Sequence, residues 1–185
     1  MNKVFTILLI SISFSFQEKN KLIELINKAK TPNQIEIILS NFNTKENNKI
    51  FEYVPSINPL NPERLKRISS SFGERFHPIT GKKKAHLGID ISAHKNLAVH
   101  SAASGKIIQV VYSNKGYGNY ITIEHKYGFV TRYAHLNKIF VKHRQQIKKG
   151  EIIGAVGTTG SSTGNHLHYE IIKNKSHINP YTLIQ

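Results

Sequence analysis

At 185 residues the chain has room for one domain and a small appendage, and its 39% hydrophobic, 20% charged and 9% aromatic residues suffice for a packed core and exclude wholesale disorder. Cysteine is absent, so disulfide frameworks, thiolate zinc knuckles, iron–sulfur sites and cysteine nucleophiles are excluded and any metal must be held by His, Asp or Glu. Lys+Arg number 26 against 11 Asp+Glu, a net charge of +15 that attracts polyanions, whether nucleic acid, anionic lipid or an acidic wall polymer.

Met1 to Phe16 begins M-N-K and continues as an uncharged, largely apolar run from Val4 to Phe16. A short basic start before an apolar stretch of this length predicts a secretory signal peptide over 1–16, cleaved near Ser15 to Gln17, and the run is shorter than the roughly 20 residues of a membrane span. Export makes nucleic acid an improbable partner, and no stable membrane span remains after cleavage. Leu22, Ile26 and Ala29, then Ile35, Ile38, Leu39 and Phe42, recur at helical spacing and predict two short amphipathic helices within 17–57. Thr31-Pro32-Asn33-Gln34 reads as a capping box with a first-turn proline. Asn43 to Asn61, polar and then punctuated by Pro55, Pro59 and Pro62, reads as an extended linker before a main domain over 58–185.

All twelve glycines lie at or beyond Gly73 and all ten histidines at or beyond His77. From Ser69 onward, short β-branched runs alternate with Gly-containing turns, which predicts a mainly β domain. The clearest strands are Gly105 to Tyr112, Asn119 to His125, Phe129 to Leu136, Ile152 to Val156 and His166 to Ile172, with Lys126-Tyr127-Gly128 as a hairpin loop.

Within that domain the only aspartate of the chain, Asp90, stands four residues after His86 in H-L-G-I-D. Near the other end stands H-L-H-Y-E; on a strand His166, His168 and Glu170 share one face while Leu167, Tyr169 and Ile171 can face the core. His135 adds a further imidazole at a strand terminus. Zinc catalysis needs three protein ligands and an open position, and two His with one carboxylate meet that count, leaving other histidines to serve as general base or oxyanion donor. The spacing alone does not decide which member of the H-x-H pair would bind metal. His77, His94, His100, His125, His143 and His177 read as hydrogen-bonded structural residues or solvated surface groups.

The segments Ser71 to Gly81, His86 to Asp90, Gly116-Tyr117-Gly118-Asn119, Tyr133-Ala134-His135-Leu136 and Gly157 to Glu170 together resemble the lysostaphin-type (LytM-like) zinc metallopeptidases that cut peptidoglycan peptides. The likeness runs in order across roughly residues 69–181. It implies a compact antiparallel β-sheet domain with its site in a groove, Zn2+ held by His86, Asp90 and His168, and His135 and His166 as the two catalytic histidines that do not bind metal. The implied function is an exported zinc metalloendopeptidase, in the periplasm or the extracellular cell wall, that hydrolyses cross-links or stem peptides. Asn165 stands where many relatives carry Pro. A rival reading is a non-catalytic wall-binding or amidase-activating module that keeps a metal, although all five key positions are present.

Overall fold

In the computed structural model the described residues are 16–42, 47–61, 67–76 and 83–184. The expected signal peptide lies outside them except for Phe16, and so does His77. Among the described residues no helix is long and apolar enough to cross a membrane. Two helices open the chain, α1 over residues 16–28 and α2 over Pro32–Asn41. The capping box is formed: the Gln34 N–H donates to Thr31 Oγ1 at 3.3 Å and the Thr31 N–H to Gln34 Oε1 at 3.2 Å. It supplies partners for two of the donors that a helix start leaves free.

Beyond α2 the chain does not run free of the body. A single helical turn, α3 (Asn48–Phe51), buries Ile50, and the residues after it bury Val54 and Leu60. The Lys149 ammonium ties this stretch down by donating to the carbonyls of Phe51 and Val54 and to Ser56 Oγ. The three apolar side chains are too irregularly spaced to read as an amphipathic element, yet burying them favours packing over an extended path.

The rest is antiparallel β structure. The main sheet is built from β1 (Arg67–Ser70), β4 (Ile89–Ser92), β6 (Gly105–Val111), β7 (Tyr120–Glu124), β8 (Phe129–Ala134), β10 (Gln146–Ile147), β12 (His166–Lys173) and β13 (Ser176–Ile178). Its order is β1-β4-β12-β8-β7-β6-β10, with β13 pairing β12. A second sheet joins β5 (Ala98–His100), β11 (Ile152–Val156) and β9 (Leu136–Ile139), and β2 (Gly73–Phe76) pairs with β3 (Lys83–His86) as a separate ribbon. The hairpin between β7 and β8 turns at Tyr127 and Gly128, φ 60° and 73°, as a tight reversal with two left-handed residues requires.

Strand β12 divides the molecule. Leu167, Tyr169 and Ile171 are wholly buried and belong to the same core cluster as Leu22, Ile26 and Ile35 of the helices. Their cross-strand partners on β8, Tyr133 and Thr131, are equally buried. His166, His168 and Glu170 occupy the opposite face, as strand alternation dictates. Lys173, of the core-face parity, reaches the carbonyl of Asn27 at the end of α1, and Asn174 Nδ2 donates to the same carbonyl at 3.1 Å. Helix α1 therefore docks at the far end of β12 from its histidines, and α2 packs on the C-terminal turn Pro180–Leu183.

The extended linker is thus one expectation corrected, and a second concerns a strand. Phe129 to Leu136 reads as one continuous strand, but the chain breaks at His135, which sits at φ 61° between β8 and β9. A non-glycine residue in this left-handed region is held there by its surroundings.

Candidate functional site

The antiparallel register places Asp90 on β4 directly beside His168 on β12, and His168 beside Ala134 on β8. The small Ala134 side chain leaves room above the sheet next to His168. His86 arrives from the end of β3. The turn at Leu87 and Gly88 swings it over the sheet, and a Cβ at Gly88 would meet the Tyr169 carbonyl oxygen at 2.3 Å, so only glycine fits this close passage.

The result is a tight triangle. His86 Nε2 lies 3.1 Å from Asp90 Oδ1 and 3.1 Å from His168 Nδ1, and His168 Nδ1 lies 2.9 Å from Asp90 Oδ1. All three residues are buried. Behind them, His86 Nδ1–H donates to the Ser71 carbonyl at 2.7 Å and His168 Nε2–H to Glu170 Oε1 at 3.0 Å. An oxygen acceptor behind each ring fixes the tautomer that leaves the inward nitrogen with its lone pair. Three lone-pair atoms so close repel one another unless a cation or shared protons lie among them. A tetrahedral ion with ligands at about 2.0–2.1 Å requires separations of roughly 3.3 Å, a few tenths of an ångström wider than those present. The donor set thus fits a metal of the zinc type.

Burial alone would raise the Asp90 carboxyl, but where protons rather than a metal are shared among the three atoms, hydrogen bonds from His168 and His86 outweigh it and hold the group well below the usual carboxylate range. Glu170 is wholly buried and accepts also from the Tyr117 hydroxyl at 2.6 Å, Arg132 at 3.0 Å and His177 Nε2 at 3.2 Å. Burial pushes its pKa upward, and the bonds from His168 and Tyr117 bring it down to about 2. Tyr117 is pushed up to about 12, first by burial and then by its bond to Glu170.

His135 and His166 stand beside the triangle with ring centroids 4.6 Å apart, and His135 is 5.9 Å from the His168 ring. His166 Nε2 lies 3.7 Å from Asp90 Oδ1. His135 Nδ1 bonds the Thr159 carbonyl and His166 Nδ1 the Gly164 carbonyl, each at 2.8 Å. Burial, reinforced by the charges of His166 and His168, pushes the His135 pKa down to about 4.

All five residues singled out in the sequence therefore meet in one place. The other described histidines do not: His94 and His143 are exposed, His100 bonds the Gly150 carbonyl, and His125 is buried between the Ser104 carbonyl and Thr131. His177 is a structural residue of a particular kind, since its partner is the carboxylate that orients His168. Sequence reasoning missed Glu170, Tyr117, Arg132 and Thr159 as supporting residues. The two-residue spacing of Glu170 from His168 was a usable signal for the first; the others are 53, 38 and 24 residues from the groups they hold.

Known proteins resemble the chain in sequence and in fold. The chain is 41% identical over 123 residues to the peptidoglycan DD-endopeptidase ShyC of Vibrio cholerae, a match covering 66% of this chain and 28% of that protein. A zinc-containing peptidase from Vibrio cholerae superposes with TM-score 0.61 at 37% identity, covering 66% of this chain and 37% of the other. The catalytic domain of lysostaphin from Staphylococcus simulans superposes with TM-score 0.56 at 32% identity, covering 62% and 89% respectively. The chain thus spans less than a third of the length of ShyC. With the description of peptidase family M23 matching residues 84–180, more than half of the sequence, the chain belongs to that family.

Proposed function

We propose that the protein is an exported zinc metalloendopeptidase that hydrolyses peptide bonds in peptidoglycan cross-links or stem peptides. In this reading His86 Nε2, Asp90 Oδ1 and His168 Nδ1 hold Zn2+, and His135 and His166 are the catalytic pair. The observation that carries it is the convergence of those three atoms beside two further imidazoles whose Nδ1 atoms are already engaged. Bound zinc supplies Lewis acidity, which polarises a carbonyl and makes water a nucleophile near neutral pH. One of His135 and His166 takes the proton from the attacking water through its bare Nε2; the other, once protonated, donates through Nε2 to the developing oxyanion. The name of ShyC supports peptidoglycan as substrate, and a basic surface suits stem-peptide carboxylates and anionic wall polymers. The apolar run of residues 4–16 supports export to the periplasm or cell wall.

Digesting isolated sacculi and analysing the muropeptides by mass spectrometry tests activity and identifies the bond together. New amino termini are expected. A protein that sediments with the wall and releases nothing is a binding or activating module instead.

A further inference from the structure

His135 and His166 come from different parts of the chain, one at the break after β8 and the other at the start of β12, yet a single loop stands behind both. Residues 157–164 supply the Thr159 carbonyl to His135 Nδ1 and the Gly164 carbonyl to His166 Nδ1, both at 2.8 Å. A carbonyl oxygen can only accept, so each contact requires Nδ1–H. The opposite tautomer would set two lone pairs against each other at that distance, and losing such a bond disfavours it by about tenfold or more.

The two carbonyls are held in place by a dense set of contacts. Thr159 Oγ1 donates to the Leu136 carbonyl at 3.0 Å and accepts from the Asn119 N–H at 2.9 Å. Asn119 Nδ2 donates to the same Leu136 carbonyl at 3.0 Å. The Ser161 N–H donates to Gly116 O at 2.8 Å, so the loop at 113–119 is locked against the loop at 157–164. The approach is closest between glycines: a Cβ at Gly160, φ 72°, would lie 2.3 Å from the Gly118 nitrogen and 2.5 Å from Gly116 O. Ser162 Oγ braces the Gly164 carbonyl at 2.8 Å and is itself 3.0 Å from Thr158 Oγ1. The same loops set the His135 backbone, whose N–H donates to Tyr117 O at 2.9 Å.

We propose that the loop 157–164, clamped to the loop 113–119, is a positioning device that selects one tautomer, Nδ1–H with Nε2 bare, in both His135 and His166 at once. Thr159 is its principal positioning residue, because its carbonyl meets His135 while its hydroxyl joins the segments on either side. The effect on turnover rests on the peptidase reading above; the tautomers do not.

The test is long-range nitrogen–proton NMR of the imidazoles in the zinc-loaded full chain at mildly alkaline pH, with His135→Gln and His166→Gln used to assign the signals. The wild type is expected to show protonated Nδ1 and bare Nε2 at both positions. Gly160→Ala displaces the Thr159 carbonyl, so both histidines should become tautomer mixtures together while zinc content is kept. Turnover should then fall by about 10- to 100-fold with KM nearly unchanged, as for a displaced reacting group. Thr159→Val, which keeps the carbonyl but loses the hydroxyl bonds, should loosen His135 alone, and Thr159→Ser should restore it; this pair decides the matter if Gly160→Ala does not fold. Finding Nε2–H at either histidine in the wild type overturns the proposal. So does a Gly160→Ala protein that loses turnover with wild-type tautomers, or keeps it with mixed ones. A wild type with the expected spectrum that cleaves no wall peptide removes the peptidase reading and leaves the loop's role standing.

Discussion

His125 makes stability depend on pH in a window that can be worked out from its surroundings. The ring is 6% exposed, with Nδ1 2.9 Å from the Ser104 carbonyl and Nε2 2.8 Å from Thr131 Oγ1. Burial, aided by the nearby Lys149 charge, pushes its pKa from the ordinary 6.5 down to about 4, against the opposing bond to Ser104. The unfolded chain takes up a proton near 6.5, whereas the folded chain resists until about 4. The stabilisation is therefore fully present above pH 6.5, drains away as pH falls, and is exhausted near pH 4. That gap corresponds to about 3 kcal/mol, a sizeable part of the 5–15 kcal/mol that holds a typical domain folded. Urea unfolding of the wild type and His125→Gln across this range isolates the effect, because the other titrating groups are common to both. The carboxamide can still donate to Ser104 and accept from Thr131, so the two stability curves should converge by about 3 kcal/mol on acidification. Curves that stay parallel from neutral pH to pH 4 would refute the reasoning.

Asp90→Ala and His168→Ala should each lose zinc on dialysis, since two remaining protein ligands compete poorly with water, and elemental analysis reads this directly. Glu170→Gln keeps the shape behind His168 but removes the charge that orients it. Its zinc affinity should drop by about 10- to 100-fold in competition with a chelator. Ile35→Ala on α2, at a side chain 1% exposed, should cost about 2–4 kcal/mol in urea unfolding yet leave kcat unchanged, because α2 carries none of the five site residues and packs on the C-terminal turn Pro180–Leu183.

What could be read from the sequence and what could not divide along physical lines. The run from His166 to Ile172 alternates cleanly, so its face assignment needed no tertiary information, and the register then carries Asp90 to His168. The helices were legible from apolar spacing and from the Thr31 to Gln34 cap. The break at His135 was invisible because F-V-T-R-Y-A-H-L contains no glycine, proline or asparagine. Its left-handed backbone is imposed by Tyr117 and Thr159, partners that only folding brings near. The stretch around Val54 and Leu60 was misread for a similar reason: prolines there mark an irregular path, and an irregular path can still be buried. Glu170 could be placed on the histidine face from its spacing, but the Tyr117, Arg132 and His177 donors around it are gathered only by folding.

The seat of α1 at the end of β12 bears on how the protein can be handled. From His168 to Lys173 is five residues of strand, about 17 Å of separation, and the side chain that receives α1 points to the reverse of the sheet. A dye, a resin linkage or a fused partner attached to an exposed position of α1 close to that end, such as Lys28, would thus stand clear of the histidine face. Immobilised through that end, the molecule would offer its histidine face outward.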